Sequence, residues 1–225
     1  MGEMIEFASN GSVGRGYLAA ASGGGPGVVV IQEWWGLVPH IKDVCERFAS
    51  AGFTALAPDL YRGKQVFEQD EASKAAMAME ADVAARDMSG AVDEVLERAT
   101  TNKVAVVGFC MGGGLALTLA TRRPDAVSVC VPFYGVSVRP DLQPDYSKLE
   151  ADVLGHYAEL DEYCTPESAR DLEARLRGLG NQAQIHIYPG THHAFFNDTR
   201  PEVYDAEASA LAWQRTISFM RSHLG

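Results

Sequence analysis

Short, mostly β-branched apolar runs recur along the chain at Val28–Ile31, Phe53–Ala57, Val104–Val107, Val127–Val131, Val153–Leu154 and Ile185–Tyr188. They lack the in–out alternation of a strand with one wet face, so they predict strands covered on both sides. Between them the period changes. Met88, Val92, Val95 and Ala99 repeat at spacings of three and four, and Ala210, Trp213, Ile217 and Met220 do the same, which predicts amphipathic helices. Thr165-Pro166-Glu167 reads as an N-cap, a first-turn proline and an early acid opening another helix. Asp198, Thr199 and Pro201 read as start signals for the last one. Strands alternating with helices imply a mostly parallel sheet with helices on both faces. Met4–Ala8 and Gly14–Ala20, joined around Asn10-Gly11, fit an antiparallel edge hairpin.

No repeat, low-complexity tract or long linker divides the chain, so a single α/β domain over residues 1–225 is expected. Acidic residues outnumber basic ones by 30 to 19, for a formal charge of −11. That balance argues against nucleic acid as a partner, because phosphate binding needs a basic patch. No apolar stretch is long enough to span a membrane. The N-terminus lacks a secretory pattern, and Glu6 stands where a myristoylation motif needs Ser or Thr. Cys45, Cys110, Cys130 and Cys164 form no CxxC pair. Reduced thiols, a cytoplasmic setting and no metal site are therefore expected.

The chemistry concentrates in "VVGFCMGGGLAL". Gly108-Phe109-Cys110-Met111-Gly112 follows a predicted strand and precedes a predicted helix. It fits the G-x-nucleophile-x-G elbow with Cys in the nucleophile position. Such a turn is tight enough to exclude side chains at both glycines. It also sets the helix N-terminus, whose N–H groups favour a thiolate or an oxyanion, beside the sulfur.

A base and an acid should follow in chain order. "YPGTHHAFFND" lies between the last strand and the last helix and offers His192 and His193, which the residues alone do not separate. Asp161 in "VLGHYAELDEYCTP" sits in the loop before the Thr165-capped helix, with Glu159 and Glu162 as competitors.

Taken together, these segments resemble the dienelactone hydrolase family, within the α/β-hydrolase fold. The resemblance spans nearly the whole chain. It rests on "VVVIQEWWGLVPHIKDVCERFASAGFTALAPDLYRG", the cysteine elbow, the Asp161 loop, the histidine loop and "AEASALAWQRTISFM". It implies a Cys110–His193–Asp161 triad and an oxyanion hole from the backbone of Trp34 and Met111. It also implies that Glu33, otherwise an odd charge at the end of an apolar strand, contacts the resting thiol and is displaced on substrate binding. Family members that act on muconolactone-type substrates hold a carboxylate with two arginines, one of them shortly after the histidine. Here Phe196 and Asn197 stand there, and Arg200 is the nearest arginine. The second would come from Arg62, Lys64, Lys74 or Arg86. Trp34, Trp35, Tyr61, Tyr134 and Phe195, with Asn197, are candidates to line the pocket.

The resemblance implies a hydrolase of small lactones or carboxylic esters, with a thioester intermediate and no cofactor, as a monomer or small homo-oligomer. A thiolate is also a good leaving group, which favours activated lactones of the dienelactone type. A broad small-ester hydrolase or thioesterase is the alternative on the same residues. A non-catalytic binding protein that has kept its elbow is the alternative from another class.

Overall fold

The computed structural model describes residues 1–137 and 139–224. The apolar runs form β3 (Gly27–Ile31), β4 (Thr54–Pro58), β5 (Val104–Phe109), β6 (Val127–Phe133), β7 (Asp152–Ala158) and β8 (Ala183–Tyr188). The N-terminal segment forms β1 (Glu3–Ser9) and β2 (Ser12–Ala19), turned by Asn10 and Gly11 at φ 41° and 94°. The sheet order is β1-β2-β4-β3-β5-β6-β7-β8. Only the β1–β2 and β2–β4 pairings are antiparallel.

Alternate residues of each central strand enter different cores. Val29, Ile31, Val104 and Val106 pack under α3 (Ala81–Arg98), α4 (Met111–Arg122) and α5 (Pro166–Gly178). Val28, Val30, Val107 and Phe109 pack under α1 (Pro39–Ser50) and α6 (Ala206–Leu224). This is why those runs carry no polar alternation: both faces are dry. Each such side chain contributes about 1.5–3 kcal/mol through burial. Among the described residues, no helix is long and apolar enough to cross a membrane.

Two elements differ from expectation. Strand β7 extends well beyond Val153–Leu154, because the polar His156 is wholly buried within it. Its ring nitrogens meet the Tyr188 hydroxyl at 2.8 Å and the Thr216 hydroxyl at 3.0 Å. The last helix starts at Ala206, capped by Asp205, whose carboxylate accepts from the Ala208 N–H at 2.8 Å. The earlier start signals are used elsewhere: Asp198 pairs with Arg47 and His40, and Thr199 bonds to Asn197.

Strand β3 lies between β4 and β5, so the chain reverses its progress across the sheet there. The crevice at the carboxyl ends of β3 and β5 is the expected place for a ligand. Glu33 and Trp34 follow β3, and Cys110 and Met111 follow β5.

Candidate active site

Cys110 sits at φ 54° and ψ −119°, a conformation rare for a residue with a side chain. Its neighbours hold it there. The Cys110 N–H donates to the Phe133 carbonyl at 3.0 Å, and its own carbonyl accepts from the Gly113 N–H at 2.9 Å. The flanking glycines are sterically required. A Cβ on Gly108 would stand 1.9 Å from the Gly112 carbonyl oxygen, and one on Gly112 would stand 2.4 Å from that of Ile31. The half-buried sulfur therefore lies at the N-terminus of α4, at the floor of a cavity of about 1210 Å³.

Of the paired histidines, it is His193 that meets the acid. Its Nδ1 lies 2.7 Å from Oδ2 of Asp161. Ala194, at φ 66°, turns the chain immediately after it. Asp161 is held in turn, because its Oδ1 accepts from the N–H groups of Tyr163 at 2.8 Å and Cys164 at 2.9 Å. The Asp161 side chain has no exposure, whereas that of His193 is 20% exposed. His192 and Glu162 also line the cavity, and Glu159 is used by the Gly190 N–H at 2.8 Å. Among the described residues, no hydrogen bond joins Cys110 to His193. Such contacts are often open in enzymes without substrate.

Glu33 is buried, and its Oε2 accepts from the Asn197 amide at 2.8 Å. Its Oε1 and the Tyr134 hydroxyl are both buried without a partner. Burial pushes the Cys110 thiol above the ordinary range, and the Glu33 charge adds to this, while the Met111 N–H works the other way. Burial and the Glu33 charge thus both favour the thiol over the thiolate.

The cavity walls include Trp34, Trp35, Met111 and Tyr134. Three expected lining residues lie behind them. Tyr61 reaches the sulfur of Met111 at 3.7 Å, and Phe195 is core between Tyr134 and Tyr188. Asn197 is turned to Glu33 and held by the Thr199 N–H and hydroxyl, which both donate to its Oδ1. Cys164, expected only as a reduced thiol, also lines the cavity. Asp161, Cys164 and His193 offer atoms within 4.8 Å of one another, a donor set of the kind that holds a metal. Both Asp161 oxygens are already engaged by protein donors.

The dienelactone hydrolase family model matches residues 15–224. Protein usf of Aquifex pyrophilus is 37% identical over 237 residues, covering 100% of both chains. A protein of Aquifex aeolicus named "Putative carboxymethylenebutenolidase" is 35% identical over 233 residues, again covering 100% of both. Among solved structures, a dienelactone hydrolase-like promiscuous phosphotriesterase from metagenomic libraries superposes with a TM-score of 0.85 at 25% identity. It covers 100% of this chain and 99% of its own. The chain belongs to the dienelactone hydrolase family. It is a hydrolase with the α/β-hydrolase fold.

In this dienelactone hydrolase family member, the arginines at the cavity, among the described residues, are Arg139 and Arg200. Arg139 comes from the segment after β6, not from the region after "DLYRG". Its Nη1 donates to the carbonyls of Ala76 at 2.9 Å and Met79 at 2.7 Å, and its Nε to Asp141 at 3.0 Å. Arg200 bonds to Glu202 at 2.9 Å and stacks over Trp35. Of the expected candidates, Arg62 pairs with Asp87, and Arg86 lines a separate shallow pocket.

Proposed function

We propose that this member of the family hydrolyses carboxylic esters or lactones, with Cys110 as nucleophile, His193 as base and Asp161 as the group that orients it. One observation carries the reading. A buried carboxylate fixes the His193 ring at 2.7 Å, in the same cavity as a sulfur on a strained strand-to-helix turn. A base oriented by a third group beside an accessible nucleophile is the arrangement covalent hydrolysis needs.

Asp161 accepts a hydrogen bond from the Nδ1–H of His193 and leaves Nε2 free to take the Cys110 proton. The sulfur then attacks the carbonyl carbon. The new oxyanion is received by the backbone N–H groups of Trp34 and Met111. His193 returns its proton to the leaving oxygen, and a thioester on Cys110 remains. Water then adds to the thioester as His193 removes its proton. The tetrahedral intermediate collapses, the acid leaves, and Cys110 recovers its proton. Glu33 acts on the timing. Its charge opposes ionisation of the resting thiol, and a substrate that moves it aside removes that opposition.

Two substrate readings share this chemistry. A dienelactone-type lactone suits a thiolate that is itself a good leaving group. A simple ester or thioester suits the occupied arginines, Arg139 with Asp141 and Arg200 with Glu202. Assay of a cis-dienelactone beside p-nitrophenyl acetate separates them. Iodoacetamide labelling tests the nucleophile. Cys110 should alkylate before Cys45, Cys130 and Cys164, in step with loss of activity. Uniform labelling, with Cys110→Ala still fully active, would overturn Cys110 as the nucleophile.

A further inference from the structure

The cavity holding Cys110 is far larger than a small lactone. Its volume of about 1210 Å³ exceeds the roughly 300–1,000 Å³ of pockets that enclose drug-sized ligands.

The walls show what the remaining space suits. On the Trp34 side stands α2 (Gln69–Ala78), whose Ala72 and Ala75 pack on Trp34, Trp35 and Tyr61. A second stripe of the same helix, Gln69, Ser73, Ala76 and Met77, faces the cavity. Arg139 ties the end of α2 down through the Ala76 and Met79 carbonyls. The His193 side is formed by the loop after β7. There Tyr163 meets the His193 ring edge-on at 5.5 Å, with Leu160 beside it on the rim. Met77 is 80% exposed, Tyr163 78% and Leu160 49%. Large apolar side chains left in water on both lips of a catalytic cleft mark a surface that a ligand covers.

The charge pattern adds a second constraint. Glu33, Glu159, Asp161 and Glu162 line the cavity. Its guanidinium groups are paired with Asp141 and Glu202. Both guanidinium groups at the cavity have a carboxylate partner, and four carboxylates line it, so the cleft disfavours an anionic substrate.

We propose that the cleft is a two-sided apolar subsite for an uncharged ester or thioester with an extended acyl chain. This rests on Cys110 and His193 acting as proposed above. The sides follow from the chemistry. The base must return its proton to the leaving atom, so the leaving group lies on the His193 side, against Tyr163 and Leu160. The acyl chain then runs the other way, past the Trp34 backbone and along Ala76 and Met77 of α2.

The test is kcat/KM over p-nitrophenyl esters from acetate to decanoate, with a monoester of a dicarboxylic acid as the anionic arm. A fully buried methylene is worth roughly fourfold, and the open lip reduces that. The octanoate should exceed the acetate by on the order of 10-fold or more, and the anionic ester should trail its neutral counterpart of equal length by about as much. Met77→Glu should lower the octanoate-to-acetate ratio, whereas Tyr163→Ala should shift preference among alcohol groups at fixed acyl length. The proposal is overturned by a flat or falling chain-length profile, by preference for the anionic ester, or by a ratio that Met77→Glu does not move. Cys110→Ala serves as the separate control. If it retains turnover of every ester, the nucleophile reading fails. If it abolishes turnover while the wild-type profile is flat, only the subsite fails.

Discussion

The side-chain amide of Asn197 donates a 2.8 Å hydrogen bond to Oε2 of Glu33, 164 positions away in the chain, in a fully buried setting. Thr199 donates twice to Asn197 Oδ1, which fixes the direction of the amide. A neutral donor thus holds the carboxylate that bears on the Cys110 thiol.

This relationship is testable through charge. Asn197→Asp puts a second carboxylate against Glu33, and two such groups cannot both ionise at that distance. Thermal unfolding should show a small loss of stability at about pH 4.5 and a larger loss at about pH 8, because the cost of a carboxyl whose pKa folding raises grows as pH climbs past its unfolded value of about 4. Asn197→Leu removes the donor without adding charge. It should cost about 1–3 kcal/mol through the unsatisfied Glu33 oxygen. An equal penalty at both pH values for Asn197→Asp would argue against the close pairing.

Glu33→Gln should make the resting thiol easier to ionise. Burial is the larger cause of its raised pKa and is unchanged, so the shift is downward but partial. Iodoacetamide alkylation of Cys110 at about pH 8 should become several-fold faster than in wild type, since one pKa unit is a factor of ten in thiolate. An unchanged or slower rate would show that the Glu33 charge does not reach the sulfur.

Asp161→Asn keeps the Oδ1 acceptor used by Tyr163 and Cys164 but turns an N–H toward His193. The histidine proton then moves to Nε2, where a base must be empty. Activity should fall on the order of 10⁴-fold, with little change in unfolding midpoint, as for the analogous change in serine proteases. A loss below about tenfold would separate Asp161 from the chemistry.

Buried thiols should limit alkaline stability. Burial pushes Cys45 and Cys130 well above the ordinary thiol range. Their stabilising contribution is whole below the unfolded thiol pKa of about 8.5 and shrinks as pH climbs past it, by about 1.4 kcal/mol per pH unit per thiol. Urea unfolding between about pH 8 and pH 10 should show this slope, and a Cys45→Ala/Cys130→Ala double variant should flatten it.

Much of the site was legible because its constraints are local. The elbow needs glycines where a Cβ would strike the backbone 1.9 Å away, so the motif shows in five consecutive residues. Strands β3 to β6 showed because both their faces are dry. What stayed hidden depends on partners distant in sequence. Asn197 stood where an arginine was expected and proved to serve Glu33. Arg139 gave no sign that it closes a cavity wall, because its acceptors are backbone carbonyls 63 and 60 positions earlier. The residues alone did not separate His192 from His193; the resemblance pointed to His193, and the turn at Ala194 follows the histidine that meets Asp161.

The most direct measurement is acid-quenched mass spectrometry of the protein during turnover of a p-nitrophenyl ester. An acyl adduct is expected on the Cys110 peptide, labile to hydroxylamine, and it should be absent in Cys110→Ala. Steady turnover with no adduct on Cys110, or with the adduct on another residue, would contradict the assignment of Cys110 as nucleophile.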